Sequence, residues 1–419
     1  VERREESGVE KSGGIAPVRG SERVVALDVL RGMGIIGILF VNIGLFSGSQ
    51  QILPVAPPEA SPIYDRIVEF VISAFAEGKF ISTLAFLFGL GFAWQGMRAE
   101  ERGESSGKLL LKRVSILALF GLVHAVLIWS GDILLAYGLM GFVLILFRRR
   151  RPRTLLIWAG VSIGLPLLFL VLSIASFALF LAFGDPDQIA QSQAGTFPFA
   201  ESLAESAREA YNSGSYPEMV IQRVRELAVL AIGVFFIGPF VFAMMLTGAA
   251  VARAGWMRDL ISHRAGIKRA AKIGLSVGLP LNIAYGVSLV LDPASTGLAG
   301  LIGLFCWLLG APLLAIGYMA SMSLFVLRRP GSAVASRLSA IGRLALSNYL
   351  LQSIVMTGIF YGLAIYGELG ITASLAIALV LLAAQIAASP VYLRRFSSGP
   401  VEWLWRRLTY GGKSAKTSA

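Results

Sequence analysis

Apolar stretches long enough to cross a bilayer, roughly 17 to 25 residues each, follow one another along nearly the whole of this chain. Many contain glycine or proline, and none alternates polar with apolar at the period of two that a barrel strand requires. Helices are then the remaining way to satisfy every backbone N–H and C=O inside hydrocarbon. Composition agrees: 56% of residues are hydrophobic and 15% charged, with a mean hydropathy of +0.72, so a water-soluble globule would lack the polar residues to cover itself. The chain therefore reads as an all-α, polytopic integral membrane bundle. Cys306 is the single cysteine, so no intrachain disulfide can form.

Spans are expected at about residues 25 to 47, 66 to 97, 114 to 130, 132 to 147, 154 to 183, 226 to 251, 267 to 291, 297 to 327, 343 to 366 and 371 to 393. About ten transmembrane helices put both termini on one side. Basic residues concentrate in cytoplasmic loops, and with the N- and C-termini cytoplasmic all but six of the 37 Lys and Arg residues fall in cytoplasmic segments. The exceptions are Arg31, Arg66, Lys79, Arg208, Arg223 and Arg225. The loop near 184 to 222 carries Asp185, Asp187, Glu201, Glu205, Glu209 and Glu218 against Arg208, as an external segment should. The net charge of +12 follows from this asymmetry, so it indicates anionic lipid at the cytoplasmic face and no nucleic acid.

Around the transmembrane domain, residues 23–396, the sequence predicts a disordered polar tail at 1–22, an interfacial helix at 397–411 and a second tail at 412–419. Residues 1–22 lack the pattern of a secretory signal, so the first span is expected to act as its own. The second span reads either as a helix broken at Glu77, Gly78 and Lys79 or as an interfacial helix followed by an ordinary span. Gly238 and Pro239 are placed to kink the sixth span. The external loop is expected to form a short amphipathic helix over the outer mouth. Small-residue pairs, Gly44 with Gly48 and Gly274 with Gly278, permit close helix packing or a homodimer.

An ionisable side chain in a span is costly unless it faces protein or water. His124, one of two histidines, lies ten residues beyond Val114, about 15 Å into the membrane at 1.5 Å per residue. It reads as a general base, an acyl or proton relay, or a hydrogen-bonded structural imidazole. Asp132 follows at the next hairpin and reads as an N-cap or as a catalytic partner. With no cluster of histidine or cysteine in the spans, a metal is not expected.

In the first span Asp28, Arg31 and Asn42 fall within about 60° of one another on a helical wheel, so one stripe carries all three. Asp28 and Arg31 are spaced to pair, and Arg31 offers a planar fork for phosphate. In the ninth span Asn348 and Gln352 share a face at the same depth; they read as interhelical glue or as part of a site. After the last span, Pro400, Glu402, Trp403, Trp405, Arg406 and Arg407 suit an interfacial helix, as an anchor or as a lid over a cytoplasmic cavity.

Taken in order, Leu27-Asp28-Val29-Leu30-Arg31-Gly32 to Asn42, Glu77-Gly78-Lys79-Phe80 with Leu87-Phe88-Gly89-Leu90-Gly91, His124 with Gly131-Asp132-Ile133-Leu134, Gly342-Arg343 to Ser347-Asn348-Tyr349 and Gln352-Ser353, and Gly399-Pro400 with Glu402-Trp403-Leu404-Trp405-Arg406 resemble the YeiB-like bacterial membrane proteins, a domain of unknown function. The resemblance runs from residue 23 to 410. It implies a multi-pass protein of the bacterial inner membrane and a distant similarity to transmembrane acyltransferases such as lysosomal heparan-alpha-glucosaminide N-acetyltransferase. Those enzymes use cytoplasmic acyl-CoA and acylate a sugar across the membrane. The lysosomal enzyme has a histidine in the loop after its first span, whereas residues 44–62 here contain none; catalysis at His124 is thus an inference from this chain. The resulting expectation is transfer from acyl-CoA or acetyl-CoA to a hydroxyl or amine of an extracytoplasmic or lipid-linked glycan. His124 and Asp132 would be catalytic, and Asp28, Arg31, Asn42, Asn348 and Gln352 would hold the donor. A transporter or channel for a small polar or lipid-linked solute is the competing class.

Overall fold

The structure, a computed structural model, describes residues 25–50, 53, 61–193, 198–256, 260–293, 295, 297–329 and 331–410; the expected tails at 1–22 and 412–419 lie outside the described residues. Among the described residues the chain is helix and turn. In order these are α1 (Val25–Ser47), α2 (Ile63–Phe75), α3 (Lys79–Glu101), α4 (Ser106–Leu127), α5 (Ile133–Leu146), α6 (Pro152–Phe183), α7 (Pro186–Gln193) and α8 (Pro198–Ser213). There follow α9 (Tyr216–Arg253), α10 (Arg264–Leu291), α11 (Leu298–Arg328), α12 (Ala333–Arg343), α13 (Ala345–Phe360), α14 (Ile371–Arg395) and α15 (Pro400–Tyr410). Among the described residues, 7 helical stretches are long and apolar enough to cross a membrane, or 8 if the bent α9 counts as one, and α5 and α13 are shorter apolar helices. The protein is an all-α polytopic membrane bundle.

The second span is indeed two helices, α2 and α3, joined through Gly78 at φ 78°. Only glycine adopts that conformation without strain. At this break Lys79 is fully buried and donates to the carbonyl of Ser73 at 2.6 Å, while Tyr285 donates to Glu77 at 2.9 Å. The sixth span changes direction by 70° between Tyr216–Ile232 and Ile237–Arg253, one turn ahead of Pro239, whose ring removes a helical donor.

Four boundaries differ from the sequence reading, the first being that α4 begins at Ser106 and not at 114. The ninth span ends at Phe360 and not at 366, because the backbone turns out of helix through Tyr361 to Ala364, the last at φ 53°. The segment before it, read as a cytoplasmic loop, is the separate helix α12, started by Ser332 accepting from the Ala335 N–H. Finally, α9 begins at Tyr216, inside the segment read as external loop, where Ser215 and Glu218 form a capping box. The amphipathic external helix is α8, whose buried Tyr211 stacks on Tyr361 with centroids 4.1 Å apart.

Close backbone approach fixes the packing. A Cβ on Gly121 would lie 2.1 Å from the Leu135 nitrogen, and one on Gly138 would lie 2.7 Å from Ala118, so α4 and α5 form a tight hairpin. Gly274 and Gly278 meet α11 at Gly317 and Leu314, while Gly44 and Gly48 meet Gln50 and Tyr366. The four glycines read as permitting a homodimer are thus occupied within the chain. Large apolar side chains left outward on α4, α6, α10 and α14, such as Leu119, Leu165, Phe169 and Val380, form the surface that lipid covers.

Candidate functional site

The α4–α5 hairpin carries the two groups expected to be catalytic. α4 ends at Leu127, the chain turns through Ser130 and Gly131, and Asp132 caps α5 by accepting from the Leu135 N–H at 2.6 Å. The other carboxylate oxygen lies 2.8 Å from His124 Nδ1, and both side chains are sealed from solvent. Asp132 is therefore cap and partner at once. An ionised carboxylate can only accept, so Nδ1 is the donor of this bond, and in a neutral imidazole Nε2 is then the acceptor nitrogen. Nε2 is buried and, among the described residues, has no hydrogen-bond partner. Tyr349 of α13 completes the group: its hydroxyl donates to Asp132 at 3.3 Å, accepts from the Ile133 N–H at 3.3 Å, and its ring lies 5.4 Å from the imidazole.

Tyr349 and Ile133 also line a cavity of about 390 Å³ formed by α1, α3, α4, α5, α12, α13 and α15. Its walls near the hairpin are apolar, from Leu84, Phe88, Leu117 and Leu134. At the opposite end stand Arg31, Arg98, Arg102, Arg113, Arg343 and Arg406, contributed by the N-terminal parts of α1 and α4, the C-terminal ends of α3 and α12, and α15. Trp94, Trp405 and Tyr410 sit among them, with Arg98 over Trp94 at 5.3 Å and Arg113 over Trp405 at 4.2 Å. The cavity is thus amphipathic along its length, suited to a ligand with an anionic head and an apolar or neutral reactive end. Asp28 pairs with Arg31 at 2.7 Å and holds the guanidinium at the lining.

The expected donor-binding set divides here. Asp28 and Arg31 line the cavity; Asn42, Asn348 and Gln352 do not. Gln352 donates to the carbonyl of Ile35 at 3.3 Å and to Gln385 at 2.9 Å, Gln385 donates to the carbonyl of Asn348 at 3.0 Å, and Asn348 reaches Ile341 and Ser389. These amides knit α1, α13 and α14 together, as the interhelical glue that the sequence offered beside a site role. Each buried amide needs partners, and the neighbouring helices supply them. Asn42 is buried farther along α1, away from the lining.

Other lining groups escaped the sequence reading. Arg98, Arg102, Arg113, Arg343 and Arg406 carry the ordinary signature of cytoplasmic-end charges, and nothing in their spacing says that they converge. Tyr349 stood within a motif without a role. Its position one residue after Asn348, on a different helical face, was the available signal. Among the described residues no group of three or more His, Cys, Asp or Glu is placed to hold a metal ion.

The comparisons with known proteins support the YeiB-like part of the resemblance. The family model described as "Protein of unknown function (DUF418)" matches residues 251–412. The "Uncharacterized protein YxaH" of Bacillus subtilis (strain 168) is 35% identical over 418 residues, covering 94% of this chain and 96% of that protein. The "Uncharacterized protein YeiB" of Escherichia coli (strain K12) is 31% identical over 406 residues, covering 95% of this chain and 100% of that protein. No solved structure matches the chain. With sequence shared almost end to end, the chain belongs to the DUF418 family of YeiB- and YxaH-like membrane proteins.

Proposed function

We propose that the protein is a membrane acyltransferase of the bacterial inner membrane, moving an acyl group from cytoplasmic acyl-CoA or acetyl-CoA to a hydroxyl or amine of an extracytoplasmic or lipid-linked glycan. The observation that carries this reading is the buried His124–Asp132 pair, with Nε2 unpartnered, sharing Tyr349 and Ile133 with the lining of an arginine-rich cavity. Orienting an imidazole through Nδ1 while leaving Nε2 without a partner among the described residues is the arrangement a general base requires; neither His124 nor Asp132 itself lines the cavity, so acyl transfer needs Nε2 to be uncovered on the cavity side. With the N-terminus inside, as the basic loops favour, the arginines would lie on the cytoplasmic side, where a nucleotide-bearing donor is found and where anionic lipid would meet the basic loops.

In this reading the arginines hold the donor's phosphates, Asp28 orients Arg31, and the thioester reaches toward Tyr349. The acceptor heteroatom attacks the thioester carbonyl as His124 Nε2 takes its proton. The new C–O or C–N bond forms, the C–S bond breaks, and the proton returns to the departing CoA sulfur. Saturable binding of acyl-CoA to purified protein in nanodiscs, lost in Arg31→Ala, is the expected result. Absence of saturable binding to the wild type would overturn the donor assignment.

A second reading, transport of a small polar or lipid-linked solute, is favoured by one feature the acyl-transfer scheme leaves unused. Lys79, Glu77 and Tyr285 form a buried polar cluster at the broken span, and such breaks line pathways in transporters. Solute uptake into proteoliposomes without covalent change, abolished by Lys79→Met and retained in His124→Ala, would shift the assignment to transport.

A further inference from the structure

Helix α15 closes one side of the cavity, yet none of its residues belongs to the apolar clusters that pack the described bundle. Among the described residues two polar contact groups latch it to α13 and α4. In the first, Glu402 accepts from the backbone N–H groups of Leu346 and Ser347 at 2.7 and 3.1 Å and from the Ser347 hydroxyl at 2.5 Å, while Ser347 Oγ accepts from the Val401 N–H at 3.2 Å. Leu344, at the N-cap of α13, offers no side-chain cap, so a residue of α15 supplies it. In the second, the Arg113 guanidinium lies over Trp405 at 4.2 Å and over Tyr410 at 5.8 Å, and it donates to the Tyr410 hydroxyl at 3.0 Å.

The two faces of α15 differ in kind. Glu402, Trp405, Arg406 and Tyr410 recur at helical spacing and line the cavity. Trp403, Leu404 and Leu408 point away and are 50%, 40% and 44% exposed, with Arg407 over the Trp403 ring at 5.2 Å. Depth decides what meets this outer face. Arg113 is two turns inside α4, about 10 Å from its start at 1.5 Å per residue, so the helix that grips it lies beside the bundle at the headgroup boundary. The spanning helix α14 ends at Arg395 and α15 starts at Pro400, leaving a link that reaches at most about 18 Å. Trp, Leu and Arg at that level, with Arg394 and Arg395 immediately before, are the side chains that bind an anionic bilayer surface.

We infer that α15 is a releasable wall of the cavity whose outer face docks in the anionic membrane interface, so that opening the donor site is a lipid-coupled event. This rests on the reading of the cavity as the donor site only for the word donor; the wall and its lipid face stand without it. Release of Glu402 also uncaps the first turn of α13, two residues before Tyr349, which ties the wall to the His124–Asp132 pair.

Gly91 lines the cavity and has open space where a Cβ would stand, so Gly91→Cys in a Cys306→Ala chain gives a single reporter thiol. In nanodiscs of phosphatidylcholine with phosphatidylglycerol, a water-soluble maleimide should label this chain slowly. Adding Glu402→Ala, which removes charge-assisted bonds, should raise the rate at least about tenfold. Adding Ser347→Cys with Val401→Cys and oxidising them should lower it below the parent, and this arm holds even if the Glu402 variant does not fold. A bimane label at Leu408→Cys should be quenched by doxyl-lipid in these nanodiscs, and by aqueous iodide in phosphatidylcholine alone. Labelling rates unchanged by both the Glu402 substitution and the lock would overturn the releasable wall. Quenching of the bimane by iodide and not by doxyl-lipid in the anionic nanodiscs would overturn the lipid face. Neither readout needs acyl-CoA, so failure of donor binding would leave the inference standing.

Discussion

Replacing Asp132 with Asn separates two roles that one side chain performs. Asn caps helices about as well as Asp, so the bond to the Leu135 N–H and the start of α5 survive. What disappears is the ionic acceptor 2.8 Å from His124 Nδ1. A hydrogen bond to a charged group contributes about 1.5–3 kcal/mol, so the bias toward the Nδ1–H tautomer should fall by roughly 10- to 150-fold. The assay is well defined because the chain has only two histidines. His263→Asn leaves His124 as the sole imidazole, and ¹⁵N shifts of labelled histidine distinguish the tautomers directly. The parent should show Nδ1 protonated and Nε2 bare; Asp132→Asn should show a mixture or the reverse. Asp132→Ala should lose about 1 kcal/mol more stability than Asp132→Asn, the usual value of a cap. A parent protonated on Nε2, or a tautomer indifferent to Asp132→Asn, would refute the orientation argument whatever the substrate.

If the acyltransfer reading is right, Asp132→Asn and His124→Ala should each reduce turnover by about 10²-fold or more with little change in acyl-CoA affinity, since both act on proton transfer; an equal loss in affinity would place them in binding instead. Gln352→Leu should lower thermal stability by about 0.6–2 kcal/mol while leaving acyl-CoA binding unchanged, because its amide joins helices and does not reach the cavity. Gly121→Ala should cost roughly 1–3 kcal/mol, read as a lower midpoint of thermal unfolding in detergent, because its Cβ would meet the Leu135 backbone and not a flexible side chain. A Gly160→Ala control, where a Cβ meets nothing within 4 Å, should be neutral.

The division between what was readable and what was not follows from range. The helical spans, the two-piece character of the second span at Gly78 and the amphipathic external and terminal helices were legible, boundaries apart, because each rests on local hydrophobicity, a single glycine or a local charge pattern, which a linear sequence displays in full. Asp28 with Arg31 was legible for the same reason, being three residues apart on one helix. His124 could be singled out because a histidine in a span is costly wherever its neighbours lie, and Asp132 followed because the hairpin is short.

The tertiary structure decided which polar groups share a cavity. Asn348 and Gln352 lie on the same helix as Tyr349, but a turn of 100° per residue sends Tyr349 to the cavity and the amides to α14. Five of the six cavity arginines look in sequence like topology charges, and only the packing of α3, α4, α12 and α15 brings them to one place. Hydrophobic pattern fixes how deep a residue lies, because the bilayer is a one-dimensional constraint along each helix. Which neighbour it faces depends on rotation and pairing among helices, and no single stretch of chain encodes that.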